Sequence, residues 1–571
     1  MMKKTFLLTI AGIALLAAGC GKDDILTSGI AGDTTYNIID DEEDLIANTT
    51  FDYTVTVTFS ESESATVDGD ANGIVSVEGN NVTADNRSYT DKVAYILQGT
   101  SSDGYFKVYS NNKQSVTLKN LNLTNPAGAA INNQGKKRCF VVLEGANALY
   151  DGATYTDTGD EGQKAAFFSE GQLIFSGTGS LSVTATGKSG ITSDDYVRVL
   201  DGVTLDVSST AGHAIRGKDA VIVSGGTIKA TAAADTKKGI TSDSLVVFTG
   251  GVTTVTVSGG TAYDSEDQDY KASAGVKADK VFVINGGTLT ISNSGKGGKG
   301  ISCDGPAYFQ GGATTVTVTG SNFGSSGGNQ PGGNPGGPGG GMGPRTKSGS
   351  DSSKSAKGIK CDGDIYISAG TVSVKASNHE GIESKGKIEI TGGTVYAQSS
   401  DDAINSAGDM AVTGGFVCAY STGNDGLDAN GNCYIEGGVI YAIASGSPEV
   451  AIDANTEQRK KLYVTGGTLF AVGGLESGSS LGQSCYSASW TRSTWYAMTV
   501  GGTVYGFKTP ASGGSPLVVS GSSKPVLTSG ATLSGGTEIW NGMGCIGGSA
   551  SGGSSVSLSS YSSGSSTGGR W

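Results

Sequence analysis

Two stretches 23 residues apart, SDDAINSAGD (400–409) and GNDGLDANGN (423–432), align residue for residue. Asp401 falls on Asn424, Asp402 on Asp425, Asn405 on Asp428 and Gly408 on Gly431. Ile404 falls on Leu427, and the matched polar side chains at 401/424, 402/425 and 405/428 all carry donor oxygens. If the chain stacks at this period, like residues lie about 4.8 Å apart, and bare carboxylates at that distance repel by about 1 kcal/mol in water and by roughly 3–4 at an effective dielectric of 20. A calcium ion reverses that sign, because it takes six to eight oxygens at about 2.3–2.6 Å. Extending the alignment gives three columns. They read Ala356, His379, Asp401, Asn424, Glu449; then Lys357, Glu380, Asp402, Asp425, Val450; then Lys360, Glu383, Asn405, Asp428, Asp453. One Asp-Asp pair is explained by a solvated turn, since Asp and Asn tolerate left-handed backbone angles. Register-matched ligands over three turns favour calcium. Lys357 and Lys360 are expected to pair with Glu380 and Glu383. The strongest site is then Asp401, Asp402, Asn405, Asn424, Asp425 and Asp428, with Glu380, Glu383, Glu449 and Asp453 as further ligands.

The elements that would position these residues are short and β-like. Gly-Gly or its equivalent recurs at 225, 250, 286, 311, 369 (as Ala-Gly), 392, 414, 437, 466 and 501, commonly 22 to 25 residues apart. Around each pair lie two alternating apolar runs, such as Ile388/Ile390 and Val395/Ala397, and a third apolar point, such as Ile382. One such unit closes no core, but stacked copies do. Lacking a helical period between strands, the repeat predicts an all-β solenoid, a parallel β-helix with about 23 residues per rung. A β-propeller requires about 40 or more residues per blade. The predicted organisation is a leader at 1–20, an acidic linker at 21–50, the β-helix at 51–547 and a Ser/Gly-rich tail at 548–571. A Gly/Pro-rich loop at 324–350 reads as an insertion, because the repeat resumes in phase after it. That phase puts Cys303 and Cys361, from GISCDG and GIKCDG, on neighbouring rungs within disulfide range.

The chain has 571 residues, 94 of them glycine, and only two histidines. Its net charge of −14 becomes −16 without Lys3 and Lys4, which argues against nucleic acid. The start, MMKKTFLLTIAGIALLAAGC, has an apolar run too short for a usual membrane span. It ends in Leu-Ala-Ala-Gly-Cys, which resembles a bacterial lipobox with Cys20 as the lipidated residue. The following GKDD resembles acidic tags that direct some lipoproteins to the outer cell surface, so the expected location is the outer membrane, facing out. Seven cysteines follow Cys20, without the CxxC spacing of a zinc site.

The motifs DDAINSAGDMAVTGG and NDGLDANGNCYIEGG, with SATVDG at 64–69, resemble bacterial surface carbohydrate-binding proteins built as right-handed parallel β-helices. The resemblance spans roughly residues 60 to 510. It implies similarity in fold to family-9 pectate lyases, calcium binding, and an acidic plant polysaccharide or cellulose as the ligand. The Gly/Pro loop and the lysine-rich rung at 357–360 depart from that pattern.

After Val395 the outward position of the second run holds Tyr396, and in other rungs Ser373, Cys418, Tyr441, Phe470 and Tyr505. Such aromatics stack on sugar rings, or on each other as a stabilising ladder. Trp490 and Trp495, in SASWTRSTWYAM, are further sugar-contact candidates, with local loop packing as their other reading. A lyase needs a cation to acidify the sugar's α-proton and a Lys or Arg to remove it. Lys385 and Lys387 lie near the acidic edge, and nothing in the sequence depresses their pKa. The reading favoured is a non-enzymatic polysaccharide-binding surface lipoprotein, with a calcium-dependent lyase or a structural adhesin as alternatives.

Overall fold

The structure is a computed structural model that describes residues 35–37, 40–156, 159, 161–324 and 354–564. Cys20 and the leader lie outside the described residues, as does all but the first residue of the 324–350 loop. The described helices are 3-10 turns of three residues each. Everything else regular is strand, wound into a parallel β-solenoid of about 14 turns.

Each turn contributes three strands. In one turn these are Ile382–Ser384, Ile388–Ile390 and Thr394–Ser399, here called the strands of sheets one, two and three. Sheet one pairs Ile359, Ile382, Ile404 and Leu427 in succession. Sheet two pairs Ile388, Met410, Cys433 and Leu462, and sheet three Val395, Val417, Ile440 and Leu469. These are the three apolar points of the sequence repeat. All point inward, at most about 1% exposed, into one continuous core. That agreement is physical, since a slip of one residue would turn every apolar side chain of a strand toward water.

The glycine pairs make the corner between sheets two and three, and the two members do different work. The second adopts a left-handed backbone, with φ of +75° at Gly393, +78° at Gly415 and +76° at Gly438. The first must lack a side chain, because a Cβ on Gly392, Gly414 or Gly437 would lie 2.1–2.3 Å from a carbonyl oxygen of the preceding turn. At 369 the first position holds Ala. There the strand Ile365–Ala376 runs through the corner unbroken, with its register shifted against the strand before it.

Cys303 pairs directly with Cys361, so the register carries across the insertion. The two thiols are hydrogen-bonded and free rather than bridged. Parallel stacking brings the sulfurs together without the crossed geometry that a disulfide requires.

The structure corrects both ends of the predicted organisation. The segment expected as an acidic linker is docked along the outside of sheet two where it is described. Tyr36 stacks near Tyr308 and Phe51 packs on Phe140, over a patch that includes Ile174, Ile222, Val247 and Val283. Asp44, 2% exposed, accepts hydrogen bonds from Arg138 Nε at 2.9 Å, Arg198 Nη1 at 3.0 Å and the Tyr196 hydroxyl. Its carboxylate is the counter-charge for two buried guanidiniums. Arg138 also pairs with Asp41 and Glu43, and Arg198 with Asp40, so Asp44→Ala removes the buried member of a shared network and is expected to cost about 1–3 kcal/mol, read as a lower urea midpoint.

At the other end, parallel pairing gives way to antiparallel pairing after Thr468–Val472, where Leu517–Ser520 closes sheet three. Gly501-Gly502 is a hairpin turn between Trp495–Val500 and Thr503–Lys508, two strands of a six-stranded antiparallel cap, and not a rung corner. The expected tail is structured as far as it is described. Ser549–Ser551, Ser554–Ser555 and Ser559–Ser560 are strands, and the Tyr561 hydroxyl donates to Leu475 O at 3.2 Å.

Candidate functional site

The acidic residues line the edge of sheet one from residue 380 to residue 476. The column just outside the core is a true ladder, with Lys360 paired to Glu383, Glu383 to Asn405 and Asn405 to Asp428. Asp453 continues it, because Ile452 bridges Leu427.

Two halves of this edge differ in charge balance. In the upper half, Lys357 Nζ lies 3.2 Å from Glu380 and 2.6 Å from Glu383, and Lys385 also bonds Glu383. Burial alone would raise Glu383, 1% exposed, but the two ammonium groups outweigh it and hold the carboxyl below its ordinary value. Burial pulls Lys357 below its ordinary value, against the opposing pull of Glu383. Lys360 does not take the expected partner; it bonds Asp362 instead, and Glu383 is taken by Lys357 and Lys385. His379 bonds Glu380 and lies 3.2 Å from Asp401, and the ligand atoms of these three residues fall within 4.8 Å of one another. His379 stood in the sequence columns but was not expected as a ligand.

The lower half has no counter-charge. Asp402 and Asp425 are 5% and 7% exposed, and among the described residues no Lys, Arg or His forms an ion pair with Asp402, Asp425 or Asp428. Asn405 Nδ2 donates to Asp402 at 2.9 Å and to Asp428 at 2.7 Å, tying two carboxylates to one amide. Asp425 N donates to Asp402 at 3.2 Å, Val450 N to Asp425 at 2.6 Å, and Asn424 Nδ2 to Asp401 at 3.0 Å. Burial first, and then mutual repulsion, push Asp402 up to about 6, Asp425 to about 8 and Asp428 to about 7. Glu449 adds to that repulsion from the next turn. Asp453 is raised by burial and by a hydrogen bond with Glu476. Glu476 escaped the sequence reading because its turn lacks the glycine pair, although its anchor Leu475 follows Ile452 by the usual 23 residues. Glu383 and Asp425 are comparably buried and shift in opposite directions, so counter-charge decides the sign.

The aromatic candidates are elsewhere. Tyr396, Tyr441 and Phe470 do lie in one outward column of sheet three, with Cys418 between them. The antiparallel cap covers that column, leaving Tyr396 5% exposed and Tyr441 and Phe470 wholly buried. Phe470 stacks on Phe507 at 4.3 Å, and the Tyr441 hydroxyl donates to Lys508 O at 2.8 Å. These three rings are therefore core, and present no face to a sugar. Tyr505 is half-buried on a cap strand and packs against the same core. Trp490 donates its indole N–H to Gly514 O at 2.9 Å, and Trp495, also half-buried, starts the strand Trp495–Val500.

Of the lysines weighed as a lyase base, Lys385 bonds Glu383, and Lys387 lies 3.3 Å from Glu389. Burial alone would lower Lys387, but its Glu389 and Tyr366 contacts raise it, the wrong direction for a base. Burial lowers Lys299 to about 7, but its ammonium donates to Gly297 O at 3.0 Å and to Ser355 O.

The sequence matches the carbohydrate-binding domain-containing protein family over residues 78–243, 234–327 and 313–403. These segments span more than half of the chain, which belongs to that family. The last of them ends just past Asp402, so most of the acidic edge lies beyond it. A gadolinium derivative of the polysaccharide lyase-like protein from C. thermocellum is similar at 22% identity and a TM-score of 0.37, over 46% of this chain and 99% of that one. No curated protein is matched.

Proposed function

We propose that the protein binds polysaccharide, a pectin-like acidic or a cellulosic plant glycan, along a calcium-loaded edge of its solenoid. The observation that carries this reading is the set of carboxylates Asp402 and Asp425, both buried, and Asp428, half-buried, which lack a cationic partner among the described residues of a chain from a carbohydrate-binding family. The donor set fits the ion. It is all oxygen, it spans neighbouring turns, and turning the Asn405 amide over presents Oδ1 where Nδ2 now stands. Calcium favours such hard, flexible oxygen sites. Asp401, Asn424, Glu449 and Asp453 border the same edge.

When bound, the ion would neutralise the edge and offer a coordination position to a sugar oxygen. The residues themselves hold the donors in register, exclude water from Asp402 and Asp425, and keep the flank flat. Affinity electrophoresis in pectic and cellulosic gels tests this. Retardation in the pectic gel is expected with calcium and should vanish with chelator; equal mobility in both would overturn the acidic-glycan reading.

The same proposal anchors the chain at the outer surface of the outer membrane through a lipid on Cys20, on the strength of its leader. Cys20→Ala is expected to move the protein from the membrane fraction to the soluble fraction and to block lipid labelling.

A further inference from the structure

Sheet two carries an outward column that the sequence reading did not use. Its successive partners are Tyr308, Tyr366, Glu389, Ala411, Tyr434 and Tyr463. The tyrosines form two stacked pairs. Tyr308 and Tyr366 have centroids 5.1 Å apart and planes 13° apart, and Tyr434 and Tyr463 are at 5.2 Å and 8°. Rings stacked on successive turns direct their faces along the ladder. Among the described residues, Tyr434 has an aromatic partner on the Tyr463 side only.

On the other side of Tyr434 the ladder holds only the methyl group of Ala411. One turn is about 4.8 Å, so this gap is about one ring thick. The N-terminal segment covers the column only as far as Tyr308, and Tyr434, Tyr463, Ala411 and Glu389 are all partly exposed. The rim is polar. Glu389 lies one turn before Ala411 and is paired with Lys387. Asp409, exposed two residues before Ala411, accepts from Asn432 N at 2.8 Å.

We infer that the Ala411 gap is a sugar subsite, in which a pyranose ring stacks on the free face of Tyr434 and takes the place of the missing rung of the ladder. An aromatic face beside a few fixed polar groups suits the C–H face and equatorial hydroxyls of a pyranose. Asp409 and Glu389 accept hydroxyl hydrogens. With one carboxylate left unbalanced by Lys387, the rim disfavours a uronate, so the ligand is a neutral glycan. The inference rests on membership of the carbohydrate-binding family and is independent of calcium.

The test is calorimetric titration of the full chain with cellohexaose, xylohexaose and mannohexaose in chelator, followed by variants. At least one of these sugars is expected to bind, with Tyr434→Ala weakening it more than tenfold and Glu389→Gln several-fold. Ala411→Tyr is the decisive variant. It completes the ladder, so its melting temperature should be equal to or above that of the native protein while neutral-sugar binding falls more than tenfold. Its calcium-dependent retardation in pectic gels should be unchanged, which separates failure here from failure of the acidic edge. If none of the three sugars binds, or if Ala411→Tyr binds them as the native chain does, the ladder is only a stabilising stack and the inference is wrong.

Discussion

In chelator at pH 8, changing both Asp402 and Asp425 to Asn is expected to raise the melting temperature, and in millimolar calcium to lower it relative to the native chain. The inversion follows from the charge balance of the edge. Without an ion, two carboxylates less than a tenth exposed must lose their solvation to ionise, and they face Asp401, Asp428 and Glu449 with no cation opposite. Asn keeps the shape and removes the charge. Their folded pKa values lie above those of the unfolded chain, so the folded state binds more protons. The stability that these two groups contribute is fully present below about pH 4 and is lost as pH rises through about 6 for Asp402 and about 8 for Asp425. At about 1.4 kcal/mol per pKa unit, the shift of Asp402 alone from 3.8 to about 6 corresponds to roughly 3 kcal/mol. Calcium acts in the opposite direction. It stabilises by about 2.7 kcal/mol at a hundred times its dissociation constant, because an unfolded chain cannot present ligands from two turns together. Melting curves of both proteins from pH 5 to 9, with calcium and with chelator, read all four combinations. Native curves that superimpose with and without calcium would leave these columns as turns that hold no ion and remove the calcium reading.

Phe470→Ala is expected to destabilise the protein by roughly 3–5 kcal/mol while leaving neutral-sugar affinity unchanged. Phe470 is wholly buried between the solenoid and its cap, stacked on Phe507 and edge-on to Tyr441 at 5.3 Å and to Tyr496 at 5.9 Å. Removing it opens a cavity in the layer that holds the cap, including Trp540, whose indole N–H donates to Phe416 O at 3.1 Å. Denaturant titration should show a lower midpoint, and the oligosaccharide titration should be unmoved. An intact midpoint with lost sugar binding would restore the surface reading of that stripe.

The chain by itself determined the period, the three apolar points of each turn and the register of the acidic columns. Side chains in a stacked solenoid repeat their environment, so Ile382, Ile404 and Leu427 had to coincide, and Glu383, Asn405 and Asp428 had to follow one position later. The same logic carried the register across the insertion to pair Cys303 with Cys361. What the period cannot specify is what covers the outside of the solenoid, because outward positions answer to segments distant in sequence. Tyr396, Tyr441 and Phe470 read as a surface stripe until the antiparallel cap, whose first strand starts only at Trp495, is folded over them. Asp44 read as part of a solvated linker until its contacts with Arg138 and Arg198 placed it inside. Counter-charge is equally non-local. The columns put Lys357 and Lys360 beside Glu380 and Glu383, but only the tertiary structure gives both carboxylates to Lys357, sends Lys360 to Asp362, and buries Asp402 and Asp425 without an ion-pair partner among the described residues.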